Sequence, residues 1–151
     1  MKYLLWTVAI LLAFVLEVKV SVLSIAPNLT VLLAYYAGMK YGETKGMLSG
    51  LMIGGLEDVL SSSIIGPNML GKGLVGFFAS FFLSGGVFVW TPLFGILGIA
   101  LLTLIDNAVV FSSLSVFDAM PANPSTALLI GVMQSVLNAA AGVVIRPRHA
   151  E

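Results

Sequence analysis

Gly46-Met47-Leu48-Ser49-Gly50-Leu51-Met52-Ile53-Gly54-Gly55-Leu56-Glu57-Asp58 is the stretch on which the fold turns. Gly46, Gly50 and Gly54 recur every four residues, and Asp58 takes the next such position. Spacing by four follows one ridge of an α-helix, and glycine along it removes the side chains that would hold a neighbouring helix away. The stretch therefore reads as a helix packed closely against another and ending in a charge. A substrate groove along the same ridge is the competing reading; close packing needs no further assumption.

Working outward, thirteen of the sixteen glycines fall between Gly42 and Gly98, so the middle helices are where backbones come nearest. The rest of the chain is apolar. Of 151 residues, 59% are hydrophobic and only 9% charged, against roughly 25% charged in an ordinary soluble domain. With a mean hydropathy of +1.07, the solvent implied is lipid. Zero net charge removes the basic footprint that nucleic-acid binding needs. The chain has no cysteine, which excludes disulfides, thiolate nucleophiles and Cys-based metal sites. A single histidine, His149 in the polar tail, leaves no Ser-His-Asp triad or multi-His metal site. The composition points to a non-enzymatic membrane protein with no cofactor.

Crossing roughly 30 Å of hydrocarbon takes about 20 apolar residues of helix. Six runs approach this: about 3–21, 27–39, 44–60, 68–83, somewhere within 88–117, and 125–145. The expectation is one all-α membrane domain over residues 1–151, a compact bundle of about six transmembrane helices with short connections. Lys2 ahead of an apolar run, with Ser24-Ile25-Ala26 beyond it, also resembles a signal peptide. Pro27 directly after that small-x-small site is poor for cleavage, so a retained helix is expected. Lys2, Lys40, Lys45, Arg146 and Arg148 would share one side of such a bundle and Lys19 the other. That bias places both termini in the cytoplasm.

The charges inside the spans reach a similar depth. Asp58 lies about 18 Å along the helix from Gly46, and Glu17 about 21 Å from Tyr3. Lys72 needs a partner in so apolar a stretch, since an unpaired intramembrane charge costs at least ~2.5–3.5 kcal/mol. If the third and fourth helices fold back about Ile64, Asp58 is the nearest candidate and Glu57 the next. Glu17, Asp58, Lys72, Asp106 and Gln134 then make a polar layer toward the outer side, with Asn138 one turn from Gln134 on the same face. Gly66-Pro67-Asn68 turns the chain, with Asn68 able to cap the next helix. Asn28-Leu29-Thr30 matches a glycosylation acceptor but opens a membrane helix, so the match is discounted. Tyr3, Trp6, Tyr35, Tyr36 and Trp90 fit an aromatic belt.

Together these residues carry a resemblance. Pro27-Asn28-Leu29, the Gly46-Gly50-Gly54-Asp58 ridge, and Gly66-Pro67-Asn68-Met69-Leu70 followed by Lys72 and Gly76 look like the rod shape-determining protein family MreD, over about residues 26–80. Asn28 stands where that family usually has Asp, and Glu17-Val18-Lys19 where it often carries Gln. The resemblance implies an inner-membrane scaffold of the bacterial elongation machinery. Its implied partners are an MreC-like bitopic protein, a RodA-like glycosyltransferase, a class B penicillin-binding protein and, indirectly, MreB filaments. The architecture also resembles the substrate-binding subunits of energy-coupling-factor vitamin transporters. A solute site is therefore the competing function, although the outer loops offer few polar groups beyond Asp118 and Asn123.

Overall fold

The computed structural model describes residues 2–19, 25–61, 64–82, 91–120 and 122–145. They form six α-helices: α1 (Lys2–Lys19), α2 (Leu29–Tyr41), α3 (Glu43–Leu60), α4 (Pro67–Ala79), α5 (Pro92–Val116) and α6 (Pro124–Ala139). Single 3₁₀ turns, Ser80–Phe82 and Ala140–Val143, extend α4 and α6. Proline opens α4, α5 and α6, where its missing N–H would have had no helical partner in any case. Thr91 caps α5 by accepting from the Phe94 amide, which fixes a start that the apolar run alone left open. Gly42, at φ +83°, turns α2 directly into α3, and Gly66, at φ +136°, sits at the start of α4. Both are left-handed positions that favour glycine. Phe88, Trp90, Arg146, Arg148 and His149 lie outside the described residues, as do Ser21 and Leu83.

α3 and α4 run antiparallel at the centre. A methyl group added at Gly46 would meet the Gly76 carbonyl, one at Gly50 the Lys72 carbonyl, and one at Gly54 the Asn68 carbonyl. Each of these pairs is equidistant from Ser61, so the hairpin folds about position 61 and not about Ile64. The difference places Asp58 level with the turn instead of with the first turn of α4. α2 closes the triple contact, since Gly38 also faces the Gly76 carbonyl. The apolar core lies between α2, α4 and α5, built from Val31, Tyr35, Met39, Val75, Ile99 and Leu102. α6 packs on α5, where Gly142 meets the Gly95 carbonyl, and α1 rests on α2.

The bundle is inverted relative to a soluble protein. Asp58, Lys72 and Thr30 are 0% exposed, whereas Leu5, Met52, Val116 and Leu128 are each 69% exposed or more. So much exposed aliphatic surface has no place in water. Pro92–Val116 and Pro124–Val143 are long and apolar enough to cross a membrane, and α1 adds a shorter apolar stretch, Leu4–Glu17. At the end opposite the buried charges, the Trp6 indole donates to the Tyr41 hydroxyl at 2.9 Å beside the Tyr36 ring. Lys40 lies over the Tyr36 and Tyr41 rings. Tyr35 is a correction to the belt reading: it is fully buried in the core.

The adjacent pair Gly54 and Gly55 offers an internal control. Gly54→Ala forces a methyl into α4 backbone and should cost about 1–3 kcal/mol or more. At Gly55 the same methyl meets only the flexible end of Met69, at 3.3 Å. Gly55→Ala should therefore change stability by less than about 1 kcal/mol, with helix propensity in its favour. Thermal retention of the monomeric peak in detergent measures both, and equal losses would refute the α3–α4 register.

Candidate functional site

The buried polar groups collect where α1 and α3 finish and α2 and α4 begin, against the middle of α5 and the last turn of α6. The Asn28 carboxamide caps α2, its Oδ1 accepting from the Val31 amide at 3.2 Å. Its Nδ2 is left free to donate to Asp106 Oδ2 of α5, at 3.0 Å. Two residues on, the Thr30 amide donates to Glu17 Oε1 at 2.8 Å, which ties the last turn of α1 to the first turn of α2. The Thr30 hydroxyl lies 2.8 Å from Glu57 Oε2 of α3 and 3.2 Å from Glu17 Oε1.

Lys72 is the centre of the knot. A helical side chain leans toward the N-terminus of its own helix. From α4 the ammonium therefore climbs back toward the α3–α4 turn, past the level of its own backbone at Gly50. There it meets Glu57 Oε2 at 2.9 Å, Asn68 Oδ1 at 3.2 Å and Asp106 Oδ2 at 3.5 Å. Three N–H groups thus face three acceptors. Gly71 leaves the space that the Asp106 carboxylate occupies, since a methyl there would strike its Oδ1.

Asp58 does not pair with Lys72, contrary to the sequence reading. With the hairpin folded about Ser61, its carboxylate faces the turn and the exposed amides of α4. Oδ2 accepts from the Gly66 and Met69 amides at 2.8 and 3.1 Å. Oδ1 accepts from the Asn68 amide at 3.1 Å and from Asn68 Nδ2 at 2.9 Å. It is a long-range N-cap, supplying what Gly66 has no side chain to supply, at the positive end of the helix dipole. Asn68 therefore does not cap α4 itself; its carboxamide joins Asp58 to Lys72. Pro67, as the first residue of α4, has no amide to satisfy.

The layer expected from sequence is thus partly one network. Glu17, Lys72 and Asp106 belong to it directly, and Asp58 joins through Asn68. Gln134 stands apart, donating to the Ala26 carbonyl beside Pro27 at 3.0 Å. The α6 contribution comes instead from Asn138, whose Nδ2 donates to the Asn28 carbonyl at 2.8 Å and to the Thr103 hydroxyl at 3.2 Å. Sequence reasoning missed Thr30 and Thr103 and ranked Glu57 second. The signal for Thr30 was present in Asn28-Leu29-Thr30, whose two polar side chains both enter the knot. Gly46 and Gly50 lie on the other half of α3, against α4, and Gly54 faces the Asn68 carbonyl at the edge of the knot.

No group of three or more His, Cys, Asp or Glu side chains is placed to hold a metal ion among the described residues. Glu17, Glu57 and Asp58 face fixed donors, Asp106 is held through Oδ2 with its buried Oδ1 unpaired, and α6 joins the network through Asn138. A family model described as rod shape-determining protein MreD matches residues 1–139. No curated protein and no solved structure matches the chain.

Double-mutant cycles separate the roles of Glu57 and Asp58. Lys72→Met strands Asp106 and should cost about 3–5 kcal/mol; Glu57→Gln leaves Lys72 paired with Asp106 and should cost less, and the double less than the sum. Asp58→Ala leaves buried amides of α4 unpaired, and its loss should be closer to additive with that of Lys72→Met. Stronger coupling for Asp58 with Lys72 than for Glu57 with Lys72, measured by unfolding in detergent, would overturn this assignment.

Proposed function

The chain belongs to the rod shape-determining MreD family, and we propose that it acts as a non-enzymatic scaffold of cell elongation in the bacterial inner membrane. In this reading all six helices are spans and both termini are cytoplasmic. It holds an MreC-like bitopic protein, a RodA-like glycosyltransferase and a class B penicillin-binding protein together, and through them MreB filaments. The observation that carries this beyond the family is the use of the buried polar groups. They bond one another across all six helices, which makes a rigid body with an apolar outside. Such a body offers its surface to other helices.

The short helices fit this picture. α2 and α4 have 13 residues each, about 20 Å of helix, and reach through the bilayer only where their neighbours shield them. Lys40 and Lys45 lie at the end opposite the knot, and Lys19 lies at the knot end. The positive-inside rule then puts the knot toward the periplasm. A solute-binding subunit would instead need Glu17, Lys72 and Asp106 free to face a ligand.

Two measurements test the reading. Reporter fusions after Lys40 and Arg148 should read cytoplasmic and one after Met120 periplasmic. In a rod-shaped bacterium depleted of its resident homologue, the intact chain should restore rods and co-purify the bitopic partner. Asp58→Ala should give round cells together with a several-fold loss of folded protein in the membrane. A well-folded intact chain that captures no partner would remove the scaffold reading.

A further inference from the structure

The groove between α5 and α6 holds polar groups that the knot does not use. Asn107 is only 8% exposed. Its Nδ2 donates to the Thr103 carbonyl at 3.0 Å, and its Oδ1 has no hydrogen-bond partner among the described residues. Ser112 and Ser115 are exposed, and their hydroxyls likewise have none among those residues. All three line a cavity of about 430 Å³ opposite Ala127 and Gly131 of α6, with Phe111 on the same wall. Both walls are helices long and apolar enough to cross a membrane.

A carboxamide oxygen and two hydroxyls facing hydrocarbon without partners are costly, because lipid tails offer no donor. Ser115 lies next to the end of α5 at Val116, within reach of headgroups or water. Asn107 lies nine residues before that end, about 14 Å down the axis, where a bound lipid would present only its acyl chain. A helix presents hydrogen-bonding side chains at every depth. Asn107, Phe111 and Ser115 follow one another at intervals of four, the spacing of a helix ridge. Ala127 and Gly131 form the buried floor opposite, where Gly131 leaves room for the Asn107 side chain, so a partner seats on the rim of Asn107, Ser112 and Ser115.

We propose that the α5–α6 groove receives the single transmembrane helix of a partner protein, one that carries Ser, Thr, Asn or Gln along the face it presents to Asn107 and Ser115. The inference rests on the scaffold reading and deepens it, by assigning the surface on which a bitopic partner docks.

The chain contains no cysteine, so Ser112→Cys and Ser115→Cys each introduce a sole thiol. In membranes holding the full chain and its bitopic partner, both should crosslink to cysteines placed at every third or fourth position of the partner's transmembrane helix. Leu5→Cys and Leu56→Cys, exposed on α1 and α3, should not. Asn107→Leu should reduce captured partner about tenfold, the effect of one or two interhelical hydrogen bonds. Ser112→Trp blocks the groove from an exposed position and should do the same without disturbing the fold. A partner captured normally by both variants, or crosslinked through Leu56→Cys alone, overturns this assignment and leaves the scaffold reading standing. Crosslinks between two copies through Ser112→Cys give the groove to a second copy and overturn it as well. Failure of the unmodified chain to capture any partner overturns the scaffold reading itself.

Discussion

The ammonium of Lys72 is the constraint on which the rest of the structure depends. Fully buried in an apolar bundle, it requires acceptors from every side, and these come from three different helices. Glu57 brings α3, Asp106 brings α5 and Asn68 holds the start of α4. Once those are fixed, Asn28 is drawn to Asp106 and Thr30 to Glu57, which sets the entry of α2. Glu17 follows with α1, and Asn138 with α6. The orientation of six helices is therefore written in one hydrogen-bonded network, whereas apolar contacts alone would tolerate many rotations. In lipid this matters more than in water, because no hydrophobic force distinguishes one helix contact from another.

The glycine contacts and the polar network are two halves of one device. At one half of the α3–α4 pair, Gly46, Gly50 and Gly76 bring the backbones together. At the other, Asp58 and Lys72 hold the hairpin by charge and by the exposed amides of α4. Without the close approach, Lys72 would not reach Glu57; without the network, the glycine faces would have a surface to slide along.

Much of this was legible in the sequence. The glycine ridge, the placement of charges near one end and the family resemblance all follow from residue spacing and type. The Asp58–Lys72 pairing did not survive because it depended on the centre of the hairpin, and a displacement from Ile64 to Ser61 moves the opposing residue by six positions. Side-chain direction supplied the rest of the error, since a lysine early in a helix reaches back toward its own N-terminus. Thr30 was hidden by a surface-modification pattern, and Tyr35 by the resemblance between a core tyrosine and an interfacial one. Spacing fixes which residues share a helix face; it does not give the rotation of that face.

The order of the acidic and basic groups along the chain bears on how the protein is made. A ribosome delivers Glu57 before Lys72, and Asp106 only after α4 is complete. Glu57 and Lys72 belong to one helical hairpin, so the lysine meets its first partner without waiting for any later helix. Asp106 comes later in the chain and completes the acceptors around Lys72. The buried charges are thus met in chain order, first inside the close-packed hairpin and then by α5.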